Sequence, residues 1–69
     1  MSAMQIRLNG EVLETGAALT VQGLIAQQQL AGQRVAVELN GDVVQRSRWA
    51  EVALKDGDQV ELVRAIGGG

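Results

Sequence analysis

Residues 4–13, MQIRLNGEVL, decide the fold of this chain. Apolar and polar side chains alternate through the first five of them, which is the period of a strand with one buried face. The Asn9-Gly10 pair that follows is strongly favoured in two-residue hairpin turns, because both central residues of such a turn need a positive φ. The segment therefore predicts an antiparallel hairpin in which Ile6 lies opposite Leu13 and both face the core.

A second hairpin is predicted by residues 35–44, VAVELNGDVV. Alternation again ends at an Asn-Gly pair, Asn40-Gly41. The same pairing rule sets Val37 opposite Val44.

The rest of the chain predicts one more strand after an irregular crossing. Asp56-Gly57-Asp58 is typical of a turn, and it leads into a strand whose inward residues are Val60 and Leu62. Residues 45–54 show no regular period. We expect three apolar side chains to anchor them on the core: Trp49, Val52 and Leu54.

One helix is predicted between the two hairpins. Thr20 suits the N-cap of a helix that carries Val21, Leu24 and Ile25 on one face, and Gly32 is a natural stop just past its end. By pattern alone the chain is an α+β two-layer protein, and the order of its strands in the sheet is undecided. It forms a single domain over residues 1–69. Met1–Ala3 precede the first alternation and are left outside the predicted strand.

Composition argues against several classes of function. The chain has no cysteine and no histidine, so it lacks the residues of disulfide frameworks, thiolate zinc sites and the commonest nucleophilic triads. We expect no catalytic residue, no metal site and no bound cofactor. A net charge of -2 without a basic run predicts no nucleic-acid partner. No apolar run approaches the roughly 20 residues of a membrane span and no signal-peptide pattern is present, so no membrane partner and a cytoplasmic location are expected.

The order of these segments, closed by DGDQVE at 56–61 and AIGGG at 65–69, resembles the ThiS family, the sulfur carriers of thiamine biosynthesis. The resemblance covers residues 4–69 and includes RSRW at 46–49. It implies a ubiquitin-like β-grasp fold, with a mixed sheet of four to five strands packed on one helix. It also implies three partners: an E1-like adenylating enzyme that uses ATP, a thiazole synthase, and a sulfur donor such as a cysteine desulfurase.

The resemblance places the reactive group on the carboxylate of Gly69, and Gly68 is the other residue that matches the family's terminal pair. Gly67 does not belong to that pair and completes the predicted flexible tail. In such carriers the carboxylate is adenylated and then converted to a thiocarboxylate. The residues agree with this role, because a chain without cysteine has no side chain that can hold transferable sulfur. Glycine also lacks the Cβ that would obstruct a narrow channel. From composition alone, however, the three glycines fit a disordered end or a linker equally well.

A docking surface is predicted on the outward face of the sheet. Strand parity gathers there an apolar set larger than a free monomer normally exposes: Val12, Ala36, Val43, Val63 and Ala65. Arg46 and Arg48 are candidates for contact with an acidic partner, although surface arginines are commonly only solvated. Asp56 and Asp58 are interpreted as turn residues and not as metal ligands.

Two other functions stay open. Molybdopterin-type sulfur carriers and ubiquitin-like protein modifiers end in the same glycine pair, and a plain interaction module needs no reactive tail at all. The absence of phenylalanine argues against the first, and the scarcity of basic residues near the tail argues against the second.

Overall fold

The first hairpin has the predicted register in the computed structural model, which describes residues 3–64. It consists of β1 (Ala3–Leu8) and β2 (Glu11–Gly16), with Ile6 opposite Leu13. Asn9 and Gly10 have φ values of 52° and 85°, as the tight turn requires. Ala3, which the alternation left out, is the first residue of β1 and pairs with Gly16. A small outward residue carries no apolar signal, so the pattern missed it.

The second hairpin is also formed as predicted. It consists of β3 (Val35–Leu39) and the two-residue β4 (Asp42–Val43). The backbone N–H of Val44 donates to the carbonyl of Val37 at 2.9 Å, which confirms the predicted pairing.

The last strand, β5 (Gln59–Arg64), lies in the middle of the sheet. The strand order is β2-β1-β5-β3-β4, with β5 parallel to β1 and antiparallel to β3. This order settles the topology that the pattern left open. A five-stranded mixed sheet with one helix agrees with the predicted β-grasp fold.

Both turn asparagines bind β5 through their side chains. Asn9 Oδ1 accepts from the Leu62 N–H at 2.9 Å, and Asn9 Nδ2 donates to the Leu62 carbonyl at 3.3 Å. Asn40 Oδ1 accepts from the Gln59 N–H at 2.9 Å, and Asn40 Nδ2 donates to Asp58 Oδ1 at 3.0 Å. The Asn-Gly pattern by itself predicts only turns at these positions. In the structure they also hold the central strand, at its first residue and at Leu62.

The helix α1 (Val21–Gln27) begins at the predicted N-cap, where Thr20 Oγ1 accepts from the Gly23 N–H at 3.0 Å. The first two helical N–H groups donate to the crossing segment, at the carbonyls of Val52 and Trp49. Three of the N–H groups that lack partners within the helix are thereby satisfied.

No helix within residues 3–64 has the length and apolar character to cross a membrane.

The predicted helix end at Gly32 was wrong. The chain leaves the helix at Gln29, whose φ is 61°, and its N–H donates to the Ala26 carbonyl. Leu30 N–H then donates to the Ile25 carbonyl, which completes a Schellman motif. Leu30 is partly buried against the core, a hydrophobic contact of the kind that accompanies this motif. Gly32 has a positive φ of 83°, but in the turn that follows.

The core forms between the helix and the inward face of the sheet. Trp49 and Leu54 are buried anchors of the crossing segment and Val52 is half-buried, as predicted. Trp49 Nε1 donates to the Val44 carbonyl at 3.0 Å, so the one aromatic ring buries no unpaired donor. The buried apolar residues form one cluster: Met4, Ile6, Val21, Leu24, Ile25, Val37, Trp49, Leu54, Val60 and Leu62.

Replacing Asn9 by glycine is expected to destabilise the protein by about 1–3 kcal/mol. Glycine keeps the positive φ, but the Leu62 N–H loses its acceptor and the unfolded chain gains freedom. The matched variant, Gln29→Gly, is expected to stabilise by about 0.5–1 kcal/mol, because it relieves a left-handed residue that carries a Cβ. Urea unfolding measures both. An equal change of stability in the two variants would mean that the Asn9 amide contributes nothing beyond turn geometry.

Candidate functional site: the end of the central strand and the outward sheet face

The candidate site begins where the central strand ends. β5 finishes at Arg64, five positions before Gly69. Within the strand, Val60 and Leu62 are buried and Val63 is 59% exposed, which confirms the predicted parity. The predicted tail, Gly67–Gly69, and Ala65 lie outside the described residues.

The predicted docking residues face solvent, but the sheet register separates them into two groups. Ala36 on β3 lies opposite Val63 on β5, and Val43 on β4 follows one strand further out. Val12 is on β2, where it lies opposite Arg7 of β1. Two strands separate Val12 from β3, so the structure brings together only part of the predicted set. Val12 is 60% exposed and Val43 71% exposed.

Two glutamates lie within the first group. Glu38 on β3 lies opposite Val43 of β4 on one side and opposite Glu61 of β5 on the other. These three residues form one row across the three strands. Both glutamates are exposed. We call the surface made by these residues the tail-proximal face; its members are Ala36, Glu38, Val43, Glu61 and Val63. Alternation alone puts the glutamates on the outward side, but their pairing depends on contact between β3 and β5, which no local pattern reveals.

The two predicted arginines lie on a short 3₁₀ helix, Arg46–Arg48, after β4. The Arg46 guanidinium is 5.8 Å from the centre of the Trp49 ring, a cation–π distance. Arg48 Nε is 3.5 Å from Glu51 Oε1 in an exposed pair, which contributes little to stability. Arg48 also lines a shallow groove with Val43. The groove also includes three residues that pack against the core, so it does not place either arginine on the tail-proximal face.

The Asp56-Gly57-Asp58 segment forms the predicted turn, with Gly57 at a φ of 88°. Asp56 Oδ1 accepts from the Gln5 N–H at 2.7 Å, and Asp58 Oδ2 accepts from the Lys55 N–H at 2.8 Å. These carboxylates hold the backbone of the turn. Residues 3–64 contain no group of three or more side chains placed to bind a metal.

Comparison with known proteins identifies the family. A model of the ThiS family matches residues 5–69. The chain belongs to the ThiS family. The ThiS sulfur carrier of Escherichia coli K12 is 35% identical over 66 residues, a match that covers 96% of this chain and 100% of that protein. A crystal structure of the thiamine biosynthesis protein ThiS from Geobacter metallireducens superposes with a TM-score of 0.81 at 38% identity, covering 96% and 100% of the two chains. The predicted ubiquitin-like fold is confirmed.

A second kind of relative is much longer. The thiazole synthase of Paramagnetospirillum magneticum is 41% identical over 66 residues, covering 96% of this chain. This ThiS-family chain spans only 20% of the length of that protein, and the same share of a thiazole synthase from Magnetococcus marinus.

The same substitution at two adjacent residues of β5 should change the stability of the protein by very different amounts. Leu62→Asp is expected to cost about 3–5 kcal/mol, because it places an unpaired carboxylate in the core. Val63→Asp should leave the fold intact, since that side chain faces water. Circular dichroism during thermal unfolding measures both variants. Comparable destabilisation in the two would contradict the alternation of β5.

Proposed function

We propose that this protein is a sulfur carrier of thiamine biosynthesis and that it carries sulfur on the carboxylate of Gly69. The match to the E. coli sulfur carrier supports this most directly, because it spans the whole of that protein and 96% of this chain. The absence of cysteine supports the same site, since no side chain is left to hold sulfur reversibly.

The chemistry requires a second protein. A carboxylate is a poor acyl electrophile, so ATP first converts that of Gly69 to an acyl-adenylate with release of pyrophosphate. A persulfide sulfur then attacks the acyl carbon and AMP leaves, which forms an acyl disulfide. A thiol of the partner enzyme attacks the other sulfur of that disulfide, so the thiocarboxylate is released and a disulfide forms on the enzyme. Gly67–Gly69 present no side chain that would obstruct the approach of nucleotide or sulfur. We propose that an E1-like adenylating enzyme supplies ATP and the active site, and that a cysteine desulfurase is the origin of the sulfur. In this scheme the carrier is a cosubstrate and not an enzyme.

The central position of β5 suits this role. The strand that leads to the tail is held by a neighbour on each side and by two asparagine side chains. A partner that docks on the sheet therefore finds the origin of the tail at a defined place. Pre-organisation of this kind lowers the entropy lost when a tail is threaded into an active site.

The proposed acceptor of the sulfur is a thiazole synthase. Proteins of that name contain a stretch similar to 96% of this chain, so carrier-like and synthase segments occur on one polypeptide. We propose that the exposed residues of the sheet face, together with Arg46 and Arg48, make the contacts with these enzymes. The cytoplasmic location stays a prediction.

Intact-mass spectrometry tests the proposal. Incubated with ATP, a sulfur source and the adenylating enzyme of the same organism, the protein should gain the mass of one oxygen-to-sulfur exchange. Fragmentation should place the change on Gly69, and the product should support thiazole formation by thiazole synthase. Sulfur on an internal residue would contradict the proposal. A thiocarboxylate that feeds molybdopterin but never thiazole, or attachment of the tail to protein lysines, would assign the chain to one of the rival functions.

Two tail variants serve as controls. Deleting Gly68 and Gly69 should abolish the mass gain and leave thermal stability nearly unchanged, because residues 3–64 supply the sheet, the helix and the core cluster. Adding one alanine after Gly69 should also abolish it, because the activated carboxylate would then carry a Cβ. Full activation of either variant would show that Gly69 is not the reactive end.

A further inference from the structure

The tail-proximal face carries an electrostatic conflict. Glu38 and Glu61 lie directly opposite each other on antiparallel strands, an arrangement in which like charges are destabilising. Arg7 lines a groove together with both glutamates but is not within ion-pair distance of either carboxylate. Both glutamates are exposed, so water and salt reduce the repulsion without removing it. The pair is therefore expected to oppose the contact between β3 and the central strand β5.

The same face lies beside the point from which the tail starts. A chain extends at most about 3.6 Å per residue, so the Cα of Gly69 lies within about 18 Å of the Cα of Arg64. An enzyme that holds Gly69 in its active site is therefore kept close to the end of β5. Val63 is the exposed residue immediately before that end, with Ala36 beside it and Glu61 on the same side of the strand.

We propose that the enzyme that activates the tail docks on the tail-proximal face and places a basic side chain between Glu38 and Glu61. Apolar side chains of that enzyme cover Val43, Val63 and Ala36 around the charged contact. This inference rests on the proposed function. It adds the chemistry of the partner surface, which is apolar with at least one lysine or arginine opposite the two carboxylates.

The negative charge of this face favours a basic partner protein over a second copy of the chain. A second copy of the chain has a net charge of -2 and would bring the same two glutamates to a symmetric contact, where they would repel. A basic partner removes the repulsion on binding. Part of the attraction then comes from relief of a conflict already present in the free carrier.

Charge reversal separates recognition from stability. Glu61→Lys replaces a repulsive cross-strand pair by an attractive one with Glu38, so the thermal midpoint should rise. Docking should weaken in the same variant, because two like charges would then face each other across the interface. With the adenylating enzyme of the same organism, we expect the KM for the carrier to rise about tenfold or more with kcat nearly unchanged. The readout is the rate of ATP-dependent pyrophosphate release at increasing carrier concentration.

Glu14→Lys is the matched control. Glu14 is exposed on the same side of the sheet, but it pairs with Gln5 near the opposite end of β1 from the tail. The substitution changes the net charge by the same amount, and we expect KM to stay within about twofold of wild type. Equal increases of KM in both variants would show that net charge alone causes the effect, and this would overturn the proposal. An unchanged KM in Glu61→Lys would overturn it as well. If the wild-type protein releases no pyrophosphate at all, the proposed function fails first, which keeps the two failures distinct.

Discussion

The structure depends on the insertion of its last strand into the middle of the sheet. β5 pairs in parallel with β1 and antiparallel with β3, so the two hairpins form one sheet only through it. Its inward residues, Val60 and Leu62, belong to the same cluster as the buried face of the helix. Without β5 each hairpin would be an isolated two-stranded unit, which is at best marginally stable in water.

The two Asn-Gly turns show how a short sequence meets two requirements at once. Each turn needs a residue that tolerates positive φ, and glycine alone would meet that need. Asparagine adds an amide that has both a donor and an acceptor. At Asn9 this amide bonds both backbone groups of Leu62, where β1 has already ended and β5 continues. The turn side chain thus takes the place of the strand partner that the backbone no longer provides.

The helix and the crossing segment are similarly interdependent. A helix of seven residues is too short to be stable alone, and the glycine within it lowers its propensity further. Carbonyls of Trp49 and Val52 accept from its first N–H groups, while Trp49 is itself anchored by the Val44 carbonyl. A stretch without regular secondary structure therefore completes the helix. The outward face of the sheet makes none of these contacts with the helix or the crossing segment. The exposed valines and the paired glutamates of that face lie next to the origin of the tail.

The sequence by itself determined the local elements, since each rests on short-range physics. Alternation, Asn-Gly turns and the Thr20 cap predicted both hairpins, their register, the helix start and the buried residues. Resemblance to the ThiS family supplied the global fold. The helix end was missed, because Gln29 adopts a left-handed conformation that local preference disfavours, while the next residue, Leu30, packs against the core. The tertiary structure alone decided the place of β5, the second role of the asparagines, the separation of Val12 from Val63 and the opposition of Glu38 and Glu61. All four depend on pairing between segments distant in the chain, and such pairing is selected by the packing of the whole core and not by any local preference.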